Sequence, residues 1–372
     1  MDPAELGGRL RSNIWVVVGT RPEAIKLAPV MHSLADIDLP SKLIFTGQHP
    51  GLDADEFGLP PSTVDLVCPG EELPHEHVRK VTTALLPLMS GGPDLLVVQG
   101  DTSSALGAAL AGFTAAVPVA HVEAGLRTHD PQLPWPEEEY RTAIDARADL
   151  LFAPTEIAAS NLGREAVPGE IHVTGNTGID ALLALTAALP PRPVSDGPPH
   201  LLVTCHRRES WGEGLHSIAA ALREIAAGLV RVDFILHPNA HVAAAMRREL
   251  GGHEKIRLLP PCGHRELVER MRAANLILSD SGGIQEEAPA LGVPLLVLRE
   301  KTERPEAIAS GNARLVGTRT DRIVAEARRL LDDPATLSAM SRPSLPFGDG
   351  HAAPRIARIV AKWLRTRASH GC

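Results

Sequence analysis

The feature that most constrains this chain is a rhythm played twice. Short runs rich in Val, Leu and Ile alternate with longer alanine-rich or amphipathic stretches. In the first half the runs fall at 14–18 (IWVVV), 42–46 (KLIFT), 94–98 (DLLVV), 117–122 (VPVAHV), 150–153 (LLFA) and 171–174 (IHVT). In the second half they fall at 201–204, 232–236, 256–259, 276–279, 294–298 and 313–316. Between them lie stretches with helical spacing, such as Ala105, Ala108, Ala109 and Gly112. Continuously apolar strands that alternate with helices predict a parallel sheet covered on both faces. The break between the halves is 189–200 (LPPRPVSDGPPH), whose five prolines and glycine suit no packed element. The expected organisation is α/β: a doubly wound domain over 1–188, a linker over 189–200 and a second doubly wound domain over 201–350. A C-terminal helix within 351–372 is expected to pack back on the first domain.

Composition excludes several classes of function. With 37 Lys and Arg against 45 Asp and Glu, the net charge is -8, which leaves no general basic face for nucleic acid or an anionic membrane. Cys68, Cys205, Cys262 and Cys372 are far apart and lack metal-ligand spacing, as expected of free thiols in a reducing cytoplasm. The 16 histidines include no HExxH and no tight cluster, so no metal is expected; His75 and His77 read as part of a solvated loop. No apolar run approaches the length of a membrane span, and residues 1–13 hold no apolar core of signal-peptide length.

In open parallel sheets, ligands bind beyond the carboxyl ends of the strands, beside helix amino termini. After the first run comes Gly19-Thr20-Arg21-Pro22-Glu23, followed by Lys26, a tight turn into a helix with two cations near its positive end. Pro29 in the same helical pattern is a local conflict of the kind functional sites carry. Asp101 follows the third run, where a helix cap is the simpler reading. His121, Glu123 and Arg127 form a charged triplet at the end of a buried strand, where unpaired charge is costly. Glu137, Glu138 and Glu139 open another helix; two of them are accounted for by the helix dipole. Asp101, Glu123 and Glu137 together would supply an acid and a base. In the second half, Ser281-Gly282-Gly283 opens a helix with bare backbone N–H groups, a phosphate cradle, and Glu287 is placed to accept ribose hydroxyls. Arg299, Glu303 and Arg304 follow the next strand as further candidates near phosphate.

These residues carry a resemblance. GTRPEAIKLAP (19–29), QGDTSSALGAALAGF (99–113), HVEAGLRT (121–128), PWPEEEYR (134–141), TGNTGIDALL (174–183), CHRRESWGEG (205–214), SDSGGIQEEAP (279–289) and TERPEAI (302–308) resemble non-hydrolysing UDP-N-acetylglucosamine 2-epimerases, in order, from about residue 14 to 350. The resemblance implies the glycosyltransferase-B architecture, two Rossmann-like domains facing a cleft, and a homodimer. It implies interconversion of UDP-GlcNAc and UDP-ManNAc with no NAD or metal cofactor, by elimination of UDP to 2-acetamidoglucal and re-addition. Asp101, Glu123, Glu137 and His206 match the catalytic set; Arg21, Lys26, Ser281, Gly282, Gly283, Glu287 and Arg304 match the positions that hold UDP.

Three departures stand out. Where the family carries Gln-His-Arg, an allosteric site for a second UDP-GlcNAc in bacterial enzymes, this chain reads Gln48-His49-Pro50-Gly51, and 68–77 also lacks the expected basic residue. Weak or absent activation by a second substrate is expected. Leu267 stands where an aromatic ring is common, and Cys205 replaces a usual glycine before His206. A hydrolysing epimerase, a glycosyltransferase of the same architecture and a catalytically silent sensor are the alternatives; the intact catalytic set disfavours the last.

Overall fold

A computed structural model describes residues 12–192, 197–205 and 212–370. The chain divides into two compact units, one built from the residues up to Ala181 and from Gly348 onward, the other from Leu182 to Phe347.

The first unit holds one seven-stranded sheet in which every neighbouring pair is parallel. Its strands are β1 (Ile14–Val18), β2 (Ser41–Phe45), β3 (Ser62–Asp65), β4 (Leu95–Gln99), β5 (Val119–Val122), β6 (Leu150–Ala153) and β7 (Glu170–Val173), in the spatial order β3-β2-β1-β4-β5-β6-β7. The second unit holds six parallel strands: β8 (His200–Thr204), β9 (Arg231–Ile235), β10 (Ile256–Leu259), β11 (Leu276–Ser279), β12 (Leu295–Val297) and β13 (Ala313–Leu315), in the order β10-β9-β8-β11-β12-β13. In both sheets the strand order reverses beside the first strand, between β1 and β4 and between β8 and β11. The expected fold class, two doubly wound α/β sheets, is the one observed.

The first sheet is buried on both faces. Ile14, Val16 and Val18 point into one core with Leu27, Val30, Met31 and Leu34 of the helix Arg21–Ala35. Trp15 and Val17 point into the other, with Leu106, Ala108 and Ala109 of the helix Ser103–Thr114. This two-residue alternation across a doubly covered sheet is why every position of β1 is apolar. The C-terminal helix Ala352–His370 lays Ile356, Val360 and Leu364 into the first of these cores. Asp180 caps it, accepting from the backbone N–H groups of Ala352 (3.2 Å) and Ala353 (2.8 Å). The second unit packs around Leu201, Val203, Ile218, Leu222, Phe234 and Leu278.

Two elements differ from expectation. β3 has no counterpart among the apolar runs: it is an edge strand, half exposed, and reads Ser-Thr-Val-Asp. A strand covered on fewer sides needs no continuous apolar run. Residues Pro74–Leu85 form a helix rather than a solvated loop, and His77 is buried on it. The proline-rich stretch follows the helix Thr177–Ala187, and the helix Arg21–Ala35 runs through Pro29.

Candidate active site

At the carboxyl end of β1, the turn into the helix Arg21–Ala35 is built around Glu23. Its carboxylate accepts from the N–H groups of Gly19 (2.8 Å) and Thr20 (2.7 Å), from the Thr20 hydroxyl (2.9 Å) and from the Thr102 hydroxyl (2.6 Å). Thr102 in turn caps the helix Ser103–Thr114. One buried side chain therefore ties the loop after β1 to the loop after β4, across the point where the strand order reverses. Burial pushes the Glu23 carboxyl above its ordinary range, and its four donors pull the other way. Gly19 is required by packing: a Cβ there would lie 2.0 Å from Ser104 Oγ and 2.6 Å from Thr46 Oγ1. Sequence reading missed Glu23, although its place three residues after Thr20 is the spacing of a capping box.

Asp101 and Glu123 follow adjacent strands; the register pairs Gln99 with Val122, so both carboxylates emerge at the same end of the sheet. Asp101 accepts from the buried guanidinium of Arg141. Arg141 lies on the helix Glu137–Asp145, one turn beyond Glu137, so this ion pair binds the helix that carries Glu137 to the loop that carries Asp101. The central glutamate of the run, Glu138, has a structural role: Oε1 accepts from the N–H groups of Thr128 (2.9 Å) and His129 (3.0 Å), and Oε2 lies 3.3 Å from Arg141 Nη1.

Glu123 is the first residue beyond β5, with φ +72°, a left-handed backbone unusual for a side-chain-bearing residue. Its N–H and that of Ala124 both donate to the Phe152 carbonyl, at 3.0 and 3.1 Å. Its Oε2 accepts from the Lys26 ammonium, from Gln99 Nε2 at 2.9 Å and from Asn176 Nδ2 at 3.4 Å. The other two charges of the triplet are not part of this cluster. His121 Nδ1 sits 2.6 Å from Asp145 Oδ1, and its Nε2 sits 2.8 Å from the Gly100 carbonyl. Arg127 Nη2 pairs with Asp145 Oδ2 at 2.8 Å and with Glu165 Oε2 at 2.7 Å. Asp145 is the partner that makes this burial tolerable, and no local pattern marks it.

The remaining first-unit candidates lie at the start of the helix Arg21–Ala35 and on the segment after β2. Arg21 opens its helix, exposed, with Nη2 3.5 Å from Glu56 Oε2. Gln48 Oε1 accepts from the Ser104 hydroxyl at 2.7 Å, and the His49 N–H donates to the Gly19 carbonyl at 3.0 Å. Buried His77 spans Ser103 Oγ (2.6 Å) and the Cys68 carbonyl (2.9 Å), holding the segment after β3 against the helix Ser103–Thr114.

In the second unit, Ser281 occupies the N-cap position of the helix Gly282–Leu291 without a side-chain capping bond, and its N–H donates to Ser279 Oγ at 3.0 Å. Gly282 lies against Arg304: a Cβ there would meet the guanidinium at 2.8 Å. Arg304 Nε donates to Glu286 Oε1 at 2.6 Å, Nη1 pairs with Glu303, and Glu303 also takes Arg299 Nη1 at 2.7 Å. All four charged groups are buried, so this network fixes the guanidinium beside the helix amino terminus. Glu287 Oε1 lies 2.8 Å from His264 Nε2, a partner that sequence reading did not single out. Cys205 Sγ donates to Asp280 Oδ2 at 3.3 Å. His206 lies outside the described residues. Among the described residues no group of three or more His, Cys, Asp or Glu is placed to hold a metal ion, and no helix is long and apolar enough to cross a membrane.

The family model for UDP-N-acetylglucosamine 2-epimerase matches residues 33–361. The UDP-N-acetylglucosamine 2-epimerase of Salmonella typhimurium is 43% identical over 371 residues, 94% of this chain and 98% of that protein. The enzyme of the same name from Escherichia coli K12 is 42% identical, over 93% and 98%. The crystal structure of UDP-GlcNAc 2-epimerase from Neisseria meningitidis bound to UDP-GlcNAc superposes with a TM-score of 0.89 at 36% identity, covering 94% of this chain and 100% of that one. The chain belongs to the UDP-N-acetylglucosamine 2-epimerase family.

Proposed function

We propose that this chain is a non-hydrolysing epimerase that interconverts UDP-GlcNAc and UDP-ManNAc at C2, without a cofactor. The observation that carries the reading is the pairing of Glu123 with Lys26 beside Asp101 and its Arg141, at the carboxyl end of the sheet, in a member of this family. Inversion at C2 requires that its proton leave, yet C2 adjoins no carbonyl that would acidify it. Elimination answers the problem. A carboxylate takes the C2 proton, the C2–H pair forms a C1=C2 double bond, and the C1–O bond to UDP breaks with its electrons on the phosphate. Protonation of C2 from the opposite face, with return of the UDP oxygen to C1, gives the epimer.

The scheme needs proton donors and acceptors on both faces of the sugar, and the family resemblance assigns that work to Asp101, Glu123, Glu137 and His206. It also needs the expelled UDP to be stabilised as charge develops on it. Arg21, Lys26, Arg304, Ser281 and the N–H groups of Gly282 and Gly283 suit the phosphates, and Glu287 suits the ribose hydroxyls. A homodimer working in the cytoplasm belongs to the same reading.

Product analysis tests it. UDP-GlcNAc incubated with the protein should yield UDP-ManNAc, with no free ManNAc. Free ManNAc formed together with UDP would mean a hydrolysing enzyme, and no turnover of UDP-GlcNAc would overturn the assignment.

A further inference from the structure

Resting on that reading, we infer that Gln99 and Asn176 are positioning residues for Glu123, holding its carboxylate aimed for transfer of the C2 proton. Neither residue belongs to the expected catalytic or UDP-binding sets. Gln99 ends β4 and Asn176 follows β7, three strands away in the sheet, yet both amides converge on Glu123 Oε2. Both are buried, at 4% and 2% exposure, so each amide needs a partner and water is not the alternative.

The orientation of Asn176 is set by a second bond. Its Oδ1 accepts from the Gly178 N–H at 2.8 Å, which leaves the NH2 end to face the carboxylate. The same turn seats Lys26: a Cβ on Gly178 would lie 3.3 Å from Lys26 Cε and 3.1 Å from Asn176 Oδ1. Backbone geometry reinforces the aim. The left-handed backbone at Glu123 is strained for a residue with a side chain and persists only where its surroundings hold it. Here the Phe152 carbonyl takes two N–H groups and Oε2 takes three side-chain donors.

Donors to a carboxylate favour its charged form. Lys26, on the helix Arg21–Ala35, brings the facing charge. On the neighbouring elements Asp101 pairs with Arg141, and His121 and Arg127 pair with Asp145. The two amides differ from Lys26 in that they do not titrate, so their hydrogen bonds to Glu123 hold across the working pH range.

The test compares Gln99→Met, Gln99→Glu and Asn176→Asp with the wild-type protein, following exchange at C2 of UDP-GlcNAc against pH and UDP binding by calorimetry. Asn176→Asp keeps the acceptor for Gly178, and Gln99→Glu keeps the shape, so a folded pair is available if Gln99→Met unfolds. The expected result is a kcat lowered roughly tenfold to a hundredfold, with KM and UDP affinity within about twofold, the loss taken by kcat rather than by substrate binding. The acidic limb of kcat/KM should move to higher pH, because Gln99→Met removes a donor to Glu123 and the carboxylates of Gln99→Glu and Asn176→Asp add like charge beside it. Wild-type kcat and an unmoved acidic limb in the variants would overturn the inference, as would a loss matched by an equal loss of UDP binding. Absence of C2 exchange in the wild-type protein would instead overturn the epimerase reading beneath it.

Discussion

Nδ1 of His121 lies 2.6 Å from Oδ1 of Asp145, and both side chains are sealed from solvent. The second oxygen of Asp145 takes Arg127 at 2.8 Å and the Gly125 N–H at 3.1 Å. This one carboxylate thereby holds the strand that leads into Glu123, and His121 carries the restraint on to the Gly100 carbonyl, next to Asp101. Two of the proposed catalytic carboxylates are thus placed by a group that touches neither.

Asp145→Asn leaves Arg127 with Glu165 as its remaining carboxylate and should lower the unfolding free energy by about 1–3 kcal/mol, read from urea midpoints. Burial alone would raise the Asp145 carboxyl, but His121 and Arg127 outweigh it and hold the group below its ordinary range. Its contribution to stability is therefore present above the unfolded-state value of about 3.9 and is lost as pH falls through the folded-state value. The acid-side decline in wild-type stability should be shallower in the variant; parallel curves would contradict this.

The pair in the second unit has the opposite sign. Burial would depress the His264 imidazole, but the hydrogen bond and charge of Glu287 overcome it and raise the group. That stabilisation is complete below the unfolded-state value of about 6.5 and disappears as pH rises through the higher folded-state value. Glu287→Gln should therefore destabilise the protein more at pH 6 than at pH 9, and NMR titration of the His264 ring should show a lower pKa. Equal destabilisation at both pH values would show that the pair is not an ion pair.

Much of this architecture is legible in the sequence, for a physical reason. A doubly covered parallel strand is apolar at most positions, so IWVVV announces β1, and the residues after each such run are the candidates for meeting a ligand. β3 escaped because an edge strand needs no such run, and His77 escaped because its two hydrogen bonds come from residues 9 and 26 positions away in sequence. The charged triplet of HVEAGLRT divides in the structure: His121 and Arg127 are satisfied by Asp145, and Glu123 faces Lys26, Gln99 and Asn176. Pairings of this kind depend on which strands become neighbours, and no local spacing records them.

Regulation is tested by saturation kinetics. Gln48 is committed to the Ser104 hydroxyl, and Pro50 follows His49 with neither charge nor N–H donor. The dependence of rate on UDP-GlcNAc should be hyperbolic, and the reverse reaction from UDP-ManNAc should begin without added UDP-GlcNAc. A sigmoidal curve, or a lag abolished by UDP-GlcNAc, would contradict the loss of activation.

The central claim is that C2 inverts by loss and return of its proton while UDP is off the sugar. Running the reaction in deuterium oxide tests it most directly, with both UDP-sugars recovered at equilibrium and read by NMR and mass spectrometry. One deuterium at C2 of UDP-ManNAc and of UDP-GlcNAc, with traces of 2-acetamidoglucal and UDP, is the predicted result. UDP-ManNAc that keeps its original C2 hydrogen would contradict it.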